Sequence, residues 1–183
     1  MYQSRLKINE EFINWVHSHD IKSIADFGCG IGIGFESAFK DREYIGVDIS
    51  QRNIDWCNQT YANPKHKYLY MDFIQEDLPQ KVEVSVCNGT LENVWNINSA
   101  LESMVRNSNK WIYASCFMGY HPNLKSHQYN WVPDKKVYSS LVSPIESTRV
   151  LENLGCTEIQ IFPSKKGDAP EAGEEAIIIA KVN

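Results

Sequence analysis

Residues 26–34 read DFGCGIGIG, four glycines in nine positions directly after the apolar stretch Lys22–Phe27. Glycine packs nothing and costs conformational entropy, so this density suits neither a helix interior nor a strand interior. It suits a tight turn, or backbone that must lie against a ligand. The turn stands between a strand pattern, Lys22–Phe27, and a helical one, Ile33–Lys40. In open α/β sheets the first strand-to-helix turn is the floor of the ligand crevice, and the N–H groups of the following helix face it. We therefore read the glycines as a ligand cradle.

The rest of the chain supports an α/β sheet. Phe12, Trp15, Val16 and His19 recur at helical spacing within residues 9–19. Tyr44–Ile49 reads as a second strand, and Ser50 caps a helix whose Ile54, Cys57 and Tyr61 share one face. His66–Phe73, Val82–Asn88 and Lys110–Phe117 read as the third to fifth strands. Ser99 and Glu102 form a capping box for a helix ending near Arg106, and Pro144 starts another that Gly155 stops. Glu158–Phe162 and Glu175–Val182 form an antiparallel hairpin, so one antiparallel strand enters a mostly parallel sheet. Residues 118–143 lack periodicity, which is long for a structureless connection and marks an insertion.

The length of 183 residues fits a single domain, with 1–20 as an N-terminal helical segment. A net charge of −5 offers no basic footprint for nucleic acid or an anionic membrane, and pairs such as Lys135-Lys136 read as solvated loops. The five cysteines are scattered without a CxxC pair, so they read as small buried thiols and no metal site is expected. No apolar run approaches the roughly 20 residues of a membrane span, and a cytoplasmic location is expected.

Asp48 ends the second strand 18 residues beyond Gly30, where a carboxylate can accept both hydroxyl hydrogens of a ribose. Asp72 ends the third strand in the same way. A nicotinamide enzyme would carry GxGxxG, but Ile33 occupies the position of the third glycine; the pattern present is acid-x-Gly-x-Gly-x-Gly, Asp26 to Gly32.

DFGCGIG, then GVDIS, MDF and VSVCNGTLENV in that order resemble the class I S-adenosylmethionine-dependent methyltransferases from Ile21 onward. The resemblance implies a three-layer, Rossmann-like α/β sandwich with a seven-stranded sheet of order 3-2-1-4-5-7-6 and strand 7 antiparallel. It implies S-adenosyl-L-methionine as cofactor, with Gly28, Gly30 and Gly32 under its methionine and ribose, and Asp26 and Ile49 in the same motifs. Asp48 would hold the ribose, Asp72 the adenine amino group, the Phe73 backbone a ring nitrogen, and Asn88 and Gly89 would lie near the methionine. Many relatives carry Leu-Glu-His where this chain has Leu91-Glu92-Asn93. The signatures of base-amino and pyrimidine-carbon methylation are replaced or missing, which argues against a nucleic-acid substrate.

In-line methyl transfer needs positioning above all. A hydroxyl acceptor would also need a base, and Glu92, His121 and His127 are the candidates. Within 118–143, Tyr120, Tyr129 and Trp131 can cover a small acceptor while offering polar tips. The expectation is an enzyme methylating oxygen or nitrogen of a small polar molecule, against the alternatives of a protein or RNA methyltransferase and a silent cofactor-binding protein.

Overall fold

The computed structural model describes residues 2–32, 35, 37–61, 63–165 and 174–183. The elements in order are α1 (Tyr2–Ser18), β1 (Ser23–Phe27), β2 (Glu43–Asp48), α2 (Gln51–Thr60), β3 (His66–Tyr70), β4 (Val82–Asn88) and a 3-10 turn (Leu91–Asn93). Then follow α3 (Ile97–Asn107), β5 (Ser108–Tyr120), β6 (Trp131–Val132), β7 (Val137–Tyr138), α4 (Pro144–Asn153), β8 (Thr157–Lys165) and β9 (Glu174–Lys181). Seven strands form one sheet of order β3-β2-β1-β4-β5-β9-β8, with β9 antiparallel to both neighbours. Counting the sheet strands alone, this is the expected order 3-2-1-4-5-7-6.

The alternation of side chains along the strands divides the core into two layers. Ile24, Tyr44, Val84, Val86 and Tyr113 face one way and pack with Phe12 and Val16 of α1 and Ile54 and Cys57 of α2. Ala25, Phe27, Ile45, Val47 and Ile112 face the other way, against Ile97, Leu101 and Met104 of α3 and Leu151 of α4. Both faces are thereby covered, which is what a parallel sheet requires.

Local signals explain most boundaries. The Ser50 hydroxyl accepts from Asn53 N at 3.4 Å and starts α2. Ser143 accepts from Glu146 N at 3.1 Å ahead of Pro144, and Gly155 takes φ +77° after α4. Several boundaries differ from those expected. The cap of α3 is Asn96, whose Oδ1 accepts from Ser99 N at 3.0 Å, so Ser99 lies inside the helix. β3 stops at Tyr70, because Asp72 turns the chain by accepting from Ile74 N at 3.1 Å. β5 runs on to Tyr120, and the insertion carries the small β6–β7 hairpin. The helix expected over Ile33–Lys40 falls partly on residues 33, 34 and 36, outside the described ones; residues 35 and 37–40 form turns, with Phe39 N donating to Phe35 O at 2.9 Å. No described helix is long and apolar enough to cross a membrane.

Candidate functional site

Strand register brings the motif residues together. Phe27 is level with Val47, and Asp26 with both Gly46 and Val86, so the chain leaves β1, β2 and β4 side by side at Gly28, Asp48 and Asn88. Gly28 N and Cys29 N both donate to Val47 O, at 2.8 and 3.0 Å. Gly28, Gly30 and Gly32 have φ of +80°, +57° and +72°, a region side chains rarely enter. Their surroundings differ. A Cβ on Gly28 would lie 2.3 Å from the Thr90 hydroxyl, and one on Gly32 2.9 Å from the Tyr61 ring. A Cβ on Gly30 would meet nothing within 4 Å. At Gly30 the bare backbone therefore faces open space, a cradle a side chain would fill, and this fits a bound nucleoside.

Asp48 is held beside this loop. Its Oδ2 accepts from Gly30 N at 2.8 Å and its Oδ1 from Ser50 N at 2.7 Å, which fixes the carboxylate between loop and helix. Beside it Ile49 is 70% exposed, an apolar side chain bare at the rim. Asp72, besides its turn, accepts from Gln75 Nε2 at 2.7 Å. Phe73 is buried and stacks on Phe27, with ring centroids 4.7 Å apart. Asp26 is buried in β1, where desolvation pushes its carboxyl up to about 7 against a hydrogen bond from the Tyr44 hydroxyl at 2.7 Å.

At the end of β4, Asn88 Oδ1 accepts from Ser115 Oγ at 2.5 Å, and Gly89 N donates to Ser115 O at 2.9 Å. Gly89 has φ +65°, and a Cβ there would overlap the Phe117 ring at 1.8 Å. Glu92 Oε1 accepts from Phe117 N at 3.0 Å, while Glu92 O accepts from Ser140 N at 2.7 Å. Glu92 is thus fixed where β4, β5 and the insertion meet.

The histidines divide. His121 follows β5 directly and its backbone N donates to Val142 O at 3.2 Å; its Nε2 is buried without a hydrogen-bond partner. His127 is an anchor: its Nδ1 accepts from Ser143 N at 3.0 Å, its backbone N donates to Glu146 Oε2 at 2.6 Å, and burial holds its pKa down. Of the aromatics, Tyr120 packs in the core at 6% exposure, so it lies under the insertion and not on its surface. Tyr129 and Trp131 are exposed; the Tyr129 hydroxyl accepts from Ile97 N at 3.1 Å and Trp131 pairs with Tyr138 across the hairpin at 5.1 Å.

Thr90, Phe117 and Tyr61 belong to this architecture but are not among the site residues expected from the sequence, Tyr61 being named there only as part of a helix face. Only Thr90, inside the fourth motif, carried a positional signal. A cavity of about 760 Å³ opens at the opposite ends of the strands among His17, Lys22, Arg42, Lys65 and Glu83. None of the motif residues lines it. Among the described residues no three His, Cys, Asp or Glu side chains group to hold a metal ion.

Residues 25–109, from β1 through α3, match the family model described as a methyltransferase domain. No curated protein matches the chain in sequence. Solved structures share the fold. Magnesium protoporphyrin IX methyltransferase from Synechocystis, with bound cofactor, is 13% identical with a TM-score of 0.71, covering 97% of this chain and 79% of that one. An amino pentose methyltransferase from Micromonospora echinaspora is 10% identical with a TM-score of 0.70, covering 98% and 92%. The N-methyltransferase NodS from Bradyrhizobium japonicum, with S-adenosyl-L-homocysteine, is 12% identical with a TM-score of 0.63, covering 88% and 78%. Residues 25–109 thus form a methyltransferase domain that uses S-adenosylmethionine as its cofactor, and the strand order is the one shared with class I S-adenosylmethionine-dependent methyltransferases.

Proposed function

We propose that the enzyme methylates an oxygen or nitrogen of a small polar molecule. The observation that carries this reading is the fastening of the insertion over the end of β4: Ser140 N on Glu92 O, and the Tyr129 hydroxyl on Ile97 N at the start of α3. We take a segment tied at both places as a cover suited to a compact acceptor rather than to an extended chain. The acidic groups at the strand ends, Asp48, Asp72 and Glu92, further disfavour polyanionic acceptors. The relatives that act on an amino pentose and on magnesium protoporphyrin IX keep small acceptors within the range of this fold.

In this reading the Asp48 carboxylate takes the ribose hydroxyls, the open side of Gly30 admits the nucleoside, and Asp72 with the backbone of Phe73 serves the adenine. Asn88 and Gly89 border the methionine end. The cofactor, when bound, supplies an electrophilic methyl on a sulfonium. The chain's own contribution is to exclude water, to align the acceptor's lone pair and to receive its proton. Glu92 is the base we favour, because Phe117 N holds its carboxylate at the joined ends of β4 and β5. His121 is the second choice, and His127 is engaged in anchoring. Ile49, Tyr129 and Trp131 would close the rim.

The test is transfer of labelled methyl from S-adenosylmethionine to fractionated metabolites, beside RNA and protein fractions. Label in a small-molecule fraction is expected. Label confined to RNA or protein would replace this acceptor class, and binding of cofactor without transfer to any fraction would mark a silent binding protein.

A further inference from the structure

Cys29, at a variable position of the glycine motif, and Cys57, outside every motif, bring their thiols together under the glycine loop. Cys29 Sγ and Cys57 Sγ approach the same carbonyl, Gly30 O, at 3.6 and 3.5 Å, and the two thiols are within hydrogen-bonding reach of each other. The space they occupy is cleared by glycine. A Cβ on Gly46 would lie 3.0 Å from Cys29 Sγ, and one on Gly32 3.5 Å from Cys57 Sγ. The other face of the same residue is the Gly30 N–H, which donates to Asp48 Oδ2 at 2.8 Å. Gly30 is therefore gripped at both ends, by a carboxylate at its nitrogen and by sulfur at its oxygen, while its α-carbon faces open space.

We propose that Cys29 and Cys57 act together as a thiol clamp, a positioning pair that orients the Gly30 peptide and through it the Asp48 carboxylate for cofactor binding. This rests on the reading of the glycine loop as the cofactor cradle. The chemistry suits the task. The contact with Cys57, then burial, raises the pKa of Cys29, so it keeps its proton and remains a donor across the physiological range. Cys57 is fully buried at the base of α2, which ties the loop to a helix anchored in the core. Each S–H···O bond is weak; two aimed at one acceptor make the arrangement redundant, since either thiol alone still satisfies the carbonyl.

Redundancy gives the test its form, a double-mutant cycle read by calorimetric titration with S-adenosyl-L-homocysteine. Cys29→Ala and Cys57→Ala singly should keep the dissociation constant within about threefold of wild type, whereas the double variant should weaken it by about tenfold or more. The melting temperatures of the unliganded variants report the packing loss separately from the loss of affinity. If the losses in affinity multiply simply, or the double variant binds like wild type, the clamp is wrong. Cys29→Ala combined with Cys57→Val, which keeps volume without a donor, replaces the double variant if that one does not fold. Asp48→Ala is the separate control: unchanged affinity there would overturn the cradle itself, whatever the cysteines do.

Discussion

Among single residues, the glycines make the sharpest distinction between holding the fold and holding the ligand. Gly89→Ala would drive a methyl into the Phe117 ring, so it should cost stability by about 1–3 kcal/mol in urea denaturation. Gly30→Ala meets no atom of the described residues within 4 Å, so its stability loss should be the smaller, about 1–2 kcal/mol for the left-handed backbone alone. Gly30→Ala should also lose S-adenosyl-L-homocysteine affinity by about tenfold or more. Unchanged affinity in that variant would remove Gly30 from the cradle. Asp26 gives a pH signature. Its folded pKa of about 7 lies above the ordinary 3.8, so between those values the folded state holds the proton more tightly than the unfolded one. Its contribution is full below pH 3.8, declines as pH rises toward 7, and is flat above. Urea midpoints for wild type and Asp26→Asn, compared from pH 4 to 8, should diverge with that slope; parallel curves would mean the carboxyl is not strained by burial.

At the level of elements, α4 is the post to which the insertion is tied. Glu146 in its first turn accepts from His127 N, from Asn98 Nδ2 at 2.9 Å and from Arg149. Burial opposes its ionisation, but these partners outweigh it and hold its pKa down. Glu146→Ala should free residues 121–142 to proteolysis and lower methyl transfer about tenfold or more, while cofactor affinity stays within about threefold. Loss of cofactor affinity in parallel would instead connect the insertion to the cradle. These elements also mark what the sequence could disclose. Val82–Asn88, Ser50 and Pro144 were legible because alternation, a capping side chain and a proline are local signals. Asn96 was missed because Ser99 and Glu102 mimic a capping box three residues on, and nothing in the spacing favours one cap over the other. The β6–β7 hairpin was missed because two-residue strands have no period. Asp48 could be found by its distance from Gly30, but Phe117 over Gly89 and Cys57 under Gly30 meet only through the packing of strands and helix.

For the molecule as a whole, the order of the sheet governs how stability is shared. β9 lies between β5 and β8, with Ile178 buried on the α3–α4 side and Ile177 and Ile179 on the other. Ile178→Ala should cost about 2–5 kcal/mol in urea, whereas Ile145→Ala, on the exposed side of α4, should stay within about 0.5 kcal/mol. Comparable losses would mean that β9 is peripheral. The same inserted strand sets a kinetic condition. β8 precedes β9 in the chain but has no pairing partner until β9 arrives, and until then β5 also presents an open edge. A folding intermediate that has assembled β1 to β5 therefore exposes the β5 edge, unpaired like β3 at the other end, together with the run Ala176–Ala180, a short apolar segment of high β-propensity. Two such intermediates can pair with each other as readily as each can finish alone, so refolding yield should fall as protein concentration rises, although the finished sheet leaves β9 no free edge.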